Sequence, residues 1–590
     1  MNFDPFIIPF SVGATFLFVW LFGKLFGWIY TLPKRDQKKL QRHVFSFRIL
    51  RTFGEIVREC LLHFRLFRIN ALLGYMHASL AAGWFLLIIF GTVESKVQSG
   101  KAFNMPYDPI FYRFFNHAPA HTIQLQTLSF LMDTFLLLVL SAVVFAWFKR
   151  LRSKWFGMRR TTRQSRVDRV ALTALWLVFP LRFLAESATG AIYGNGDFFT
   201  GILGRASESD AVFRMIEYPA WWAYSISLCG FFVLLPFSRY MHIPAEIILV
   251  TFRRAGIGHL RRFSAFADIE VESCSRCGVC IDTCQLQKDV DIREVLPVYF
   301  LRSIRERDTN EKGASKCLVC GKCAQACPVR IDVNNQRIVQ REEFNSNKNF
   351  QPLHFEKAQY SGGGKIGYYA GCMTHLTPSI KLAMVKILLA AEADFVFLDQ
   401  EGSLCCGRPM LLAGEFNGAA AIAMRNEKLI KDCGIETLIT SCPICLKMFS
   451  EEYQLNIPVL HHSQYIEQIL EENKITLNLN RSSYTYHDPC ELGRGLGIYD
   501  APRSILTKAG KLIEPDLVRK HAPCCGGSIG SVNLTHAEKK AVTTIAIGKY
   551  VETHADILVV SCPLCKKTFV GPNKIKVMDI AEIVADRCEK

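Results

Sequence analysis

The sequence predicts a protein in three parts: an all-α bundle of five membrane-spanning helices, then a small α-helical domain, then an α/β domain built from a repeat. Three observations support this organisation. Five long apolar runs lie before residue 250, eight cysteines lie between Cys274 and Cys327, and a five-cysteine pattern occurs twice after residue 365. A chain of 590 residues is long enough for three or four domains. We predict domains at residues 1–250, 251–350, 351–480 and 481–590.

The five apolar runs are long enough, at about 20 residues each, to cross the hydrocarbon core of a bilayer as helices. They lie near residues 6–31, 72–93, 127–148, 170–191 and 218–240. Residues 32–71 and 149–168 carry ten and eight Lys or Arg, against three and two in residues 94–126 and 191–217. Because Lys and Arg accumulate in cytoplasmic loops, we expect a protein of the inner (cytoplasmic) membrane with its N-terminus outside. Everything after the fifth span is then cytoplasmic.

The net charge of +17 reflects the basic residues beside these spans. A chain this basic could bind nucleic acid, but its Lys and Arg lie where membrane topology already explains them. We therefore expect a membrane partner and no nucleic acid. Residues 38–68 interleave Arg with Phe, Leu and Ile, which predicts an amphipathic helix along the inner leaflet.

Two histidines lie near the predicted cytoplasmic ends of spans. His77 lies between one and two turns inside the second span, and His242 lies at the end of the fifth. Two neutral imidazoles that face each other in a helix bundle are suitable axial ligands for a low-spin b-type haem. Each histidine taken alone could instead be a hydrogen-bonded packing residue. The pair at matched depth predicts a haem b site.

Ionisable side chains inside a span are costly in lipid and are functional candidates by default. Asp133 lies near the middle of the third span, and Arg182 and Glu186 lie one turn apart in the fourth. They could form structural ion pairs, or they could line a quinone pocket with its proton path, to which His117 and His121 could add donors. We predict Asp133, Arg182, Glu186 and His121 as quinone-binding residues.

The eight central cysteines form two runs of the same rhythm, Cys-x2-Cys-x2-Cys-x3-Cys. This is the ligand spacing of bacterial two-cluster ferredoxins, in which the fourth cysteine of each run binds the other cluster. Zinc sites and disulfides do not explain the doubled rhythm, so we predict a ferredoxin-type domain with two [4Fe–4S] cubanes. One departure is Gln285, where such proteins usually have proline. The ligand sets are Cys274, Cys277, Cys280 and Cys327, and Cys317, Cys320, Cys323 and Cys284.

The C-terminal part carries a repeated pattern: a single cysteine, an adjacent pair followed by glycine, and Cys-Pro-x-Cys. The intervals are 32 and 35 residues in the first copy, and 33 and 36 in the second. Apolar strands predicted at residues 365–370, 395–398, 437–440, 484–487 and 557–560 alternate with helical stretches, which indicates α/β units with cysteines at strand ends. The two sets are Cys372, Cys405, Cys406, Cys442 and Cys445, and Cys490, Cys524, Cys525, Cys562 and Cys565.

In the positions of its histidines, the membrane half resembles the five-helix gamma subunit of respiratory nitrate reductases and the cytochrome b subunit of membrane-bound heterodisulfide reductases. His77 and His242 match the haem ligand pair of that family that lies nearest the cytoplasm. The positions of the second, outer pair are Leu87 and Tyr224 here. The resemblance therefore implies one haem b.

The repeat resembles the CCG domain of heterodisulfide reductase catalytic subunits, which also occurs in iron–sulfur subunits of glycolate and lactate oxidases. In that family a five-cysteine set can hold a non-cubane [4Fe–4S] cluster. Both sets are complete in this chain, so the resemblance implies one or two such clusters, with the cysteines of both sets as the catalytic residues. Zinc in one of the two sets is the alternative.

The whole combination looks like the electron-transfer flavoprotein:menaquinone oxidoreductase family. The resemblance implies that electrons pass from a reduced two-subunit, FAD-containing flavoprotein through the CCG clusters, the cubanes and the haem to menaquinone. No Gly-x-Gly-x-x-Gly motif follows a predicted strand, which agrees with a flavin carried by a partner. Two alternatives remain: a heterodisulfide reductase that uses quinol electrons, and the iron–sulfur docking subunit of a flavin-dependent hydroxyacid dehydrogenase.

Overall fold

The computed structural model describes the chain except residues 1–2, 101–104, 118–121, 153–161, 203–209, 259–263, 309, 346–363, 403, 479–480, 532, 572–574 and 590. The chain divides into two compact units, Met1–Gly278 and Val279–Lys590. This division lies inside the first cysteine run, whereas the boundary predicted at residue 250 falls within the helix His242–Arg254. The boundaries predicted at residues 350 and 480 lie outside the described residues.

Within the described part of the first unit, five helices are long and apolar enough to cross a membrane, which confirms the predicted bundle. The second, third and fourth of them begin with a side-chain cap, from Asn70, Thr122 and Ser165 respectively. At the second of them, the Asn70 side chain accepts a hydrogen bond from the Leu73 N–H, and Gly100 ends the helix with φ +63°. The helices are α1 (Ile7–Thr31), α2 (Lys34–Val44), α3 (Arg48–Ile56), α4 (Phe64–Ile69), α5 (Ala71–Ser99), α6 (Tyr112–Phe115), α7 (Ile123–Leu151), α8 (Arg166–Tyr193), α9 (Asp210–Leu234), α10 (His242–Arg254) and α11 (Ala265–Glu272). The spans are α1, α5, α7, α8 and α9.

The segment predicted as one amphipathic helix, residues 38–68, is broken in the structure. After α2 and α3 comes a π-helical turn, Val57–Leu61. His63 then adopts a left-handed backbone conformation with φ +52°, and α4 begins at the next residue. A left-handed residue cannot continue a right-handed helix, so the chain changes direction here.

The fifth span also ends earlier than predicted. The helix α9 ends at Leu234, and two 3₁₀ turns, Leu235–Phe237 and Arg239–Met241, follow it. Pro236 explains the break, because proline lacks the N–H that a continuing helix needs and its ring clashes with the preceding turn. His242 is consequently the first residue of α10 rather than the last of the span.

Aromatic rings close the end of the bundle where α1 begins; we call this group the aromatic plug. Phe6 contacts Phe111 and Phe114 edge-on, with ring centroids 5.1 and 4.7 Å apart. Trp221 lies 5.8 Å from Phe111 and 6.0 Å from Tyr224. Edge-to-face aromatic pairs add stabilisation beyond the area they bury. The plug includes Tyr224, one of the two positions where the resembling family carries an outer haem ligand.

The second unit begins with short helices that surround the cysteine runs. Apolar residues at helical spacing predict helices within residues 289–315, and the structure has two there. The set is α12 (Val279–Thr283), α13 (Gln285–Val290), α14 (Pro297–Arg305), α15 (Glu311–Ser315), α16 (Lys322–Ala326) and α17 (Val333–Asn345).

The two copies of the repeat fold alike, as their equal cysteine spacing predicts. The described residues of each copy form a four-stranded parallel sheet, in the orders β2-β1-β3-β4 and β7-β6-β8-β9. The first contains β1 (Ile366–Tyr369), β2 (Phe395–Phe397), β3 (Thr437–Thr440) and β4 (Val459–His461). The second contains β6 (Ser483–Tyr486), β7 (Lys511–Leu512), β8 (Ile557–Val560) and β9 (Lys576–Asp579). A short antiparallel pair, β5 (Thr476–Leu477) with β10 (Cys588–Glu589), joins the copies.

Helices cover both sheets, and the two copies share a hydrophobic core. Residues of the first copy such as Tyr368 and Ile466 belong to the same buried cluster as Tyr484 and Val559 of the second. The repeat is therefore one packed body. The helices are α18 (Cys372–His375), α19 (Pro378–Ala390), α20 (Arg408–Ala413), α21 (Phe416–Asp432), α22 (Pro443–Glu451), α23 (His462–Glu471), α24 (Asp500–Ala509), α25 (His536–Val551), α26 (Pro563–Phe569) and α27 (Ile580–Ala585).

Candidate redox sites

In both copies of the repeat, the predicted cysteines follow the carboxyl ends of strands. Cys372 and Cys442 follow β1 and β3, and Cys490 and Cys562 follow β6 and β8. The adjacent cysteine pair of each copy lies in the segment after β2 or β7. The carboxyl ends of parallel strands meet at one edge of a sheet, where such folds bind their ligands. The fold thus brings each five-cysteine set to one edge.

The five thiols of each set are hydrogen-bonded to one another in the same order. In the first set the chain runs Cys372, Cys405, Cys406, Cys445, Cys442. In the second set it runs Cys490, Cys524, Cys525, Cys565, Cys562. The Sγ atoms of Cys525 and Cys565 lie 3.5 Å apart. Clustered soft thiolates are the ligands that iron–sulfur centres require.

Each adjacent pair contains one thiol that ionises readily. Hydrogen bonds with Cys372 and Cys406 hold the pKa of Cys405 well below its usual value, and hydrogen bonds with Cys524 and Cys565 lower the pKa of Cys525 to about 5. The thiolate is the metal-binding form of cysteine, so the lowered pKa of these two thiols is compatible with metal binding.

The two sets differ in their access to solvent. In the first set, Cys372 and Cys405 are partly exposed and the other three cysteines are buried. In the second set, Cys490 is partly exposed and the other four are buried. The first set is thus the more open of the two.

One carboxylate, Glu491, connects the two sets. It lies 3.5 Å from the Arg408 guanidinium and 3.5 Å from the Lys447 ammonium, which belong to the helices that follow the cysteines of the first set. Burial favours the neutral acid, but the two cations lower the pKa of Glu491 overall. Because Glu491 directly follows Cys490, this ion-pair network fixes the second set against the first.

Four predicted cubane ligands, Cys284, Cys317, Cys320 and Cys323, lie together in the second unit. Burial raises the pKa of Cys284 to about 11, and it also raises the pKa of Cys320 and Cys323. Thiols that resist ionisation in a buried place become thiolates when they bind a metal ion, because the ion supplies the compensating charge. Ionisation of these thiols therefore requires a compensating positive charge, which a bound metal ion would supply.

The second five-cysteine set lies directly against this cubane site. The Gln285 side chain donates to the Cys524 carbonyl at 3.1 Å and accepts from the Cys524 N–H at 2.8 Å. Arg494 donates to the Cys320 carbonyl at 2.6 Å and to the Ala522 carbonyl at 2.8 Å. In the sequence, Gln285 is notable only because related proteins usually have proline there. In the structure, its two hydrogen bonds connect the segment of Cys284 to Cys524, so it links two predicted cluster sites.

Replacing Gln285 with alanine is expected to lower the free energy of unfolding by about 2–6 kcal/mol, because two buried backbone groups of Cys524 lose their partners at about 1–3 kcal/mol each. Magnetic coupling between the two neighbouring clusters should weaken in the electron paramagnetic resonance spectrum. The matched control is Gln287→Ala, since Gln287 bonds to Asp291 within its own segment. Equal unfolding free energies and spectra for the two variants would refute the linking role.

In the first unit, the first two cysteines of the other cubane are attached to the helix bundle. Arg276, between Cys274 and Cys277, forms a buried ion pair with Asp168 at the start of α8. Its carbonyl accepts a hydrogen bond from the Thr162 hydroxyl at 2.9 Å. Burial raises the pKa of Cys274, so metal binding is again the natural way to ionise it.

A cavity of about 1190 Å³ in the first unit contains both predicted haem ligands, His77 and His242, and also Cys277. The Nδ1 of His242 lies 2.7 Å from the Arg239 carbonyl, and because a carbonyl only accepts, Nδ1 carries the proton. Nε2 then keeps its lone pair, the form in which histidine binds a metal. Basic residues in the lining, such as Lys149, suit the carboxylates of a haem. The residues present therefore fit a haem b.

Sequence reasoning missed a third imidazole in this cavity. The rings of His63 and His77 have centroids 5.6 Å apart, and the Nδ1 of His63 lies 3.2 Å from the Leu61 carbonyl. His63 lies outside the predicted spans, in the segment predicted as a surface helix. The one available signal was its position shortly before the second span.

The charged residues predicted inside the spans are paired. Asp133 lies 2.9 Å from Arg113, a residue of α6 that the sequence does not single out, and also accepts from the backbone N–H of Thr200 at 2.9 Å. Arg182 and Glu186 form the predicted i,i+4 pair at 2.9 Å. These contacts favour the structural interpretation of both pairs, and a quinone-binding role stays a prediction.

Of the two histidines that could add donors to a quinone pocket, His117 and His121, the structure describes only His117. The His117 ring stacks on Tyr193 with centroids 3.7 Å apart, so it contacts the end of α8. His121 lies outside the described residues, and its assignment as a quinone-binding residue likewise stays a prediction.

Two protein families match the chain. The cysteine-rich domain family, CCG, matches residues 366–450 and 484–570, one match for each copy of the repeat. The 4Fe-4S dicluster domain family matches residues 270–331, which contain all eight cysteines of the two runs. Both matches agree with the resemblances drawn from the cysteine spacing.

Three curated relatives cover different shares of the chain. A subunit of the fumarate reductase (CoM/CoB) of Methanothermobacter marburgensis is 26% identical over 53% of this chain and 72% of its own length. EtfAB:quinone oxidoreductase of Syntrophomonas wolfei is 22% identical over 62% and 67%. A subunit of the dihydromethanophenazine:CoB--CoM heterodisulfide reductase of Methanosarcina mazei is 27% identical over 38% of this chain and 58% of its own length.

These matches and the cysteine sets define the class of protein: an iron–sulfur oxidoreductase with a 4Fe–4S dicluster domain, a double CCG domain and five candidate membrane helices. Within this class, the chain is related to EtfAB:quinone oxidoreductase and to heterodisulfide reductase subunits. These relatives and domains support the family that the sequence suggests.

Proposed function

We propose that the protein passes electrons from a reduced cytosolic electron-transfer flavoprotein, through CCG clusters, two cubanes and a haem b, to menaquinone. The relationship to EtfAB:quinone oxidoreductase supports the two ends of this path. The observation that carries the proposal is the cavity of the first unit, because a cubane ligand, Cys277, lines the same space as both haem ligands, His77 and His242.

Contacts in the second unit support the order of the path. The link from Gln285 to Cys524 and the link from Arg494 to Cys320 hold the second five-cysteine set against the cubane of Cys284. Glu491 holds the first set against the second. Electrons that enter at the partly exposed first set therefore have a packed route through the second set to that cubane.

Residues of the cavity position the groups at the membrane end of the proposed electron path. A haem held by His77 and His242 supplies reversible one-electron transfer. The Arg239 carbonyl fixes the His242 ring by its hydrogen bond, and the Arg276–Asp168 ion pair holds Cys277 at the cavity. We place the protein in the cytoplasmic membrane, with its N-terminus outside and its iron–sulfur clusters in the cytoplasm, as the Lys and Arg content of the loops predicts.

The test is to mix the purified full-length protein with reduced electron-transfer flavoprotein and to record the haem spectrum. We expect reduction of the haem, followed by reoxidation on addition of a menaquinone analogue. The variant Cys405→Ser should slow haem reduction by the flavoprotein, whereas Cys433→Ser, outside both five-cysteine sets, should not. A haem that stays oxidised with reduced flavoprotein, yet is reduced by quinol and reoxidised by a disulfide, would refute the proposal.

Disulfide reduction at the first set is the second candidate. It is favoured by the partial exposure of Cys372 and Cys405 and by the relationship to a heterodisulfide reductase of Methanosarcina mazei. In that reaction two electrons from quinol and two protons would convert one disulfide into two thiols. The same mixing experiment separates the two candidates, because only this one predicts reoxidation of the haem by a disulfide.

A further inference from the structure

The cavity of the first unit is larger than a single ligand needs. Ligand pockets are usually about 300–1,000 Å³, and this one is about 1190 Å³. The predicted haem ligands and the basic residues line one part of it. Residues of α3, the π turn Val57–Leu61, the middle of α5 and the part of α10 after His242 also line it, and we call this portion of the lining the second part of the cavity. This second part has room for another group beside the haem.

The second part of the cavity opens onto the apolar surface of the bundle. Phe53, Phe85, Ile88 and Ile247 line the cavity, and they are also 63%, 46%, 43% and 39% exposed. Large apolar side chains that are exposed on a membrane bundle face lipid. A molecule dissolved in the bilayer can therefore enter the cavity from the side.

One carboxyl group, Glu246, lines this mostly apolar part of the cavity. It lies one helical turn after His242, so both side chains are on the same face of α10, and it is 9% exposed. The charged groups that face it are Arg253 on its own helix, Arg65 on α4 and Glu59 in the π turn. Burial raises the pKa of Glu246 to about 8, against the opposing effect of the two arginines.

A chain of charged side chains leads from Glu246 to solvent. Arg65 lies 3.4 Å from Glu59 and 3.7 Å from Glu55. Glu55 in turn pairs with Arg254, whose side chain is about half exposed. The carboxylates of Glu59 and Glu55 can take up and release protons, and the two arginines hold them in place between the buried carboxyl group and water.

The backbone around this part of the cavity is irregular in two places. The π turn carries Val57, Cys60 and Leu61 into the cavity lining, and His63 holds the left-handed conformation next to it. Single π turns and non-glycine residues with positive φ occur preferentially at functional sites, because elsewhere their cost is not offset. This segment therefore contributes to the cavity wall instead of continuing as one surface helix.

We propose that this part of the cavity binds the ring of the lipid-borne quinone beside the haem, and that Glu246 exchanges protons with it. This placement rests on the proposed electron path and deepens it. Asp133, Arg182 and Glu186, the candidates from the sequence, are already engaged in ion pairs, whereas Glu246 lines the open cavity.

The reaction at this site balances as follows. A quinone takes up two electrons, one at a time, from the side of the cavity where His77 and His242 lie. Its two C=O groups become C–OH groups, which requires two protons. The Glu246 carboxyl group gives one proton to the oxygen nearest to it and is reprotonated from solvent by way of the Glu59 carboxylate, which faces it in the π turn. The second proton also comes from solvent. Oxidation of a quinol follows the same steps in reverse.

The first test is binding, which does not depend on turnover. The full-length protein is photolabelled with an azido-naphthoquinone, and the labelled peptides are identified by mass spectrometry. We expect the label on residues 53–61 or 85–88. Ile88→Trp, which narrows the opening, should weaken binding about tenfold, whereas Ile226→Trp, on the exposed face of α9 away from the cavity, should not. Labels elsewhere, or equal binding in both variants, would overturn the placement.

The second test measures the proton-exchanging role of Glu246. Reduced 2-methyl-1,4-naphthoquinone is mixed with the purified protein without flavoprotein, and haem reduction is followed. Glu246→Gln should slow it by about a hundredfold, the lower end of what positioned acid–base groups contribute, with analogue binding within about twofold of wild type. The control is Glu217→Gln, an equally buried acid that bonds to Thr189 outside the cavity. Equal rates for Glu246→Gln and wild type would overturn the role of Glu246.

The outcomes also separate this inference from the proposed function. If quinol fails to reduce the haem of the wild-type protein, the electron path itself is refuted, and the labelling pattern alone then decides where the quinone analogue binds. If the wild-type protein reacts and Glu217→Gln slows the reaction as much as Glu246→Gln does, the path stands and the placement is refuted.

Discussion

Replacing His242 with alanine is expected to reduce the haem content to less than about a tenth of the wild-type value, with the iron–sulfur content unchanged. The reason is that groups that merely orient a metal ligand are already worth about 10–100-fold in metal affinity, and His242 is a predicted ligand itself. The measurement is the haem absorbance per chain together with acid-labile sulfide. His77→Ala should behave in the same way.

A matched control separates ligand loss from unfolding. His43 is buried in the same unit and bonds to the Thr52 hydroxyl at 2.8 Å, but it does not line the cavity; His43→Ala should keep the haem. Free imidazole should restore the absorbance of His242→Ala in part, since it can occupy the vacated position. Wild-type haem content in both His77→Ala and His242→Ala would show that the axial pair is wrong and would direct attention to His63.

The second large effect is expected at the centres of the thiol chains. Cys525→Ser should abolish one non-cubane signal in the electron paramagnetic resonance spectrum and remove about four iron atoms per chain, if the second set holds a complete cluster. Serine keeps the size of the side chain but offers iron a hard, protonated oxygen in place of a soft thiolate. Cys406→Ser tests the first set in the same way.

The control for these variants is Cys588→Ser, because Cys588 lies in the short β5–β10 pair and outside both sets. It should change neither the iron content nor the spectrum. An unchanged signal in both Cys406→Ser and Cys525→Ser, together with zinc in the metal analysis, would establish the zinc alternative instead.

The cysteine sites were predictable from the sequence because their chemistry is recorded in spacing. Three-residue steps place Cys274, Cys277 and Cys280 around one cluster, whatever surrounds them. The buried strands Thr437–Thr440 and Ile557–Val560 were also predicted with their true bounds, since short apolar runs between turn signals can form little else in an α/β unit. Local patterns fix local structure.

The contacts that connect the sites were not predictable, because their partners are far apart in the chain. The sequence shows Gln285 only as a departure from proline, without its contact to Cys524. It allows an ion pair for Asp133 but does not show that the partner is Arg113 of α6. Glu246 could not be identified for a similar reason. The apolar run in the sequence extends the fifth span to residue 240, whereas the helix breaks at Pro236 and a separate helix, α10, begins at His242. Tertiary packing decides such positions.

The aromatic plug fills the end of the bundle where a second haem would otherwise bind. Phe6, Phe111 and Trp221 pack at the end of the bundle where α1 begins, and Tyr224 and Leu87 are buried at the positions of an outer haem pair. On the proposed arrangement, the haem and the quinone therefore lie in one half of the bundle's thickness, and the quinone takes electrons and protons from the same side. The bilayer then serves as the solvent that delivers a substrate, and turnover moves no net charge across it.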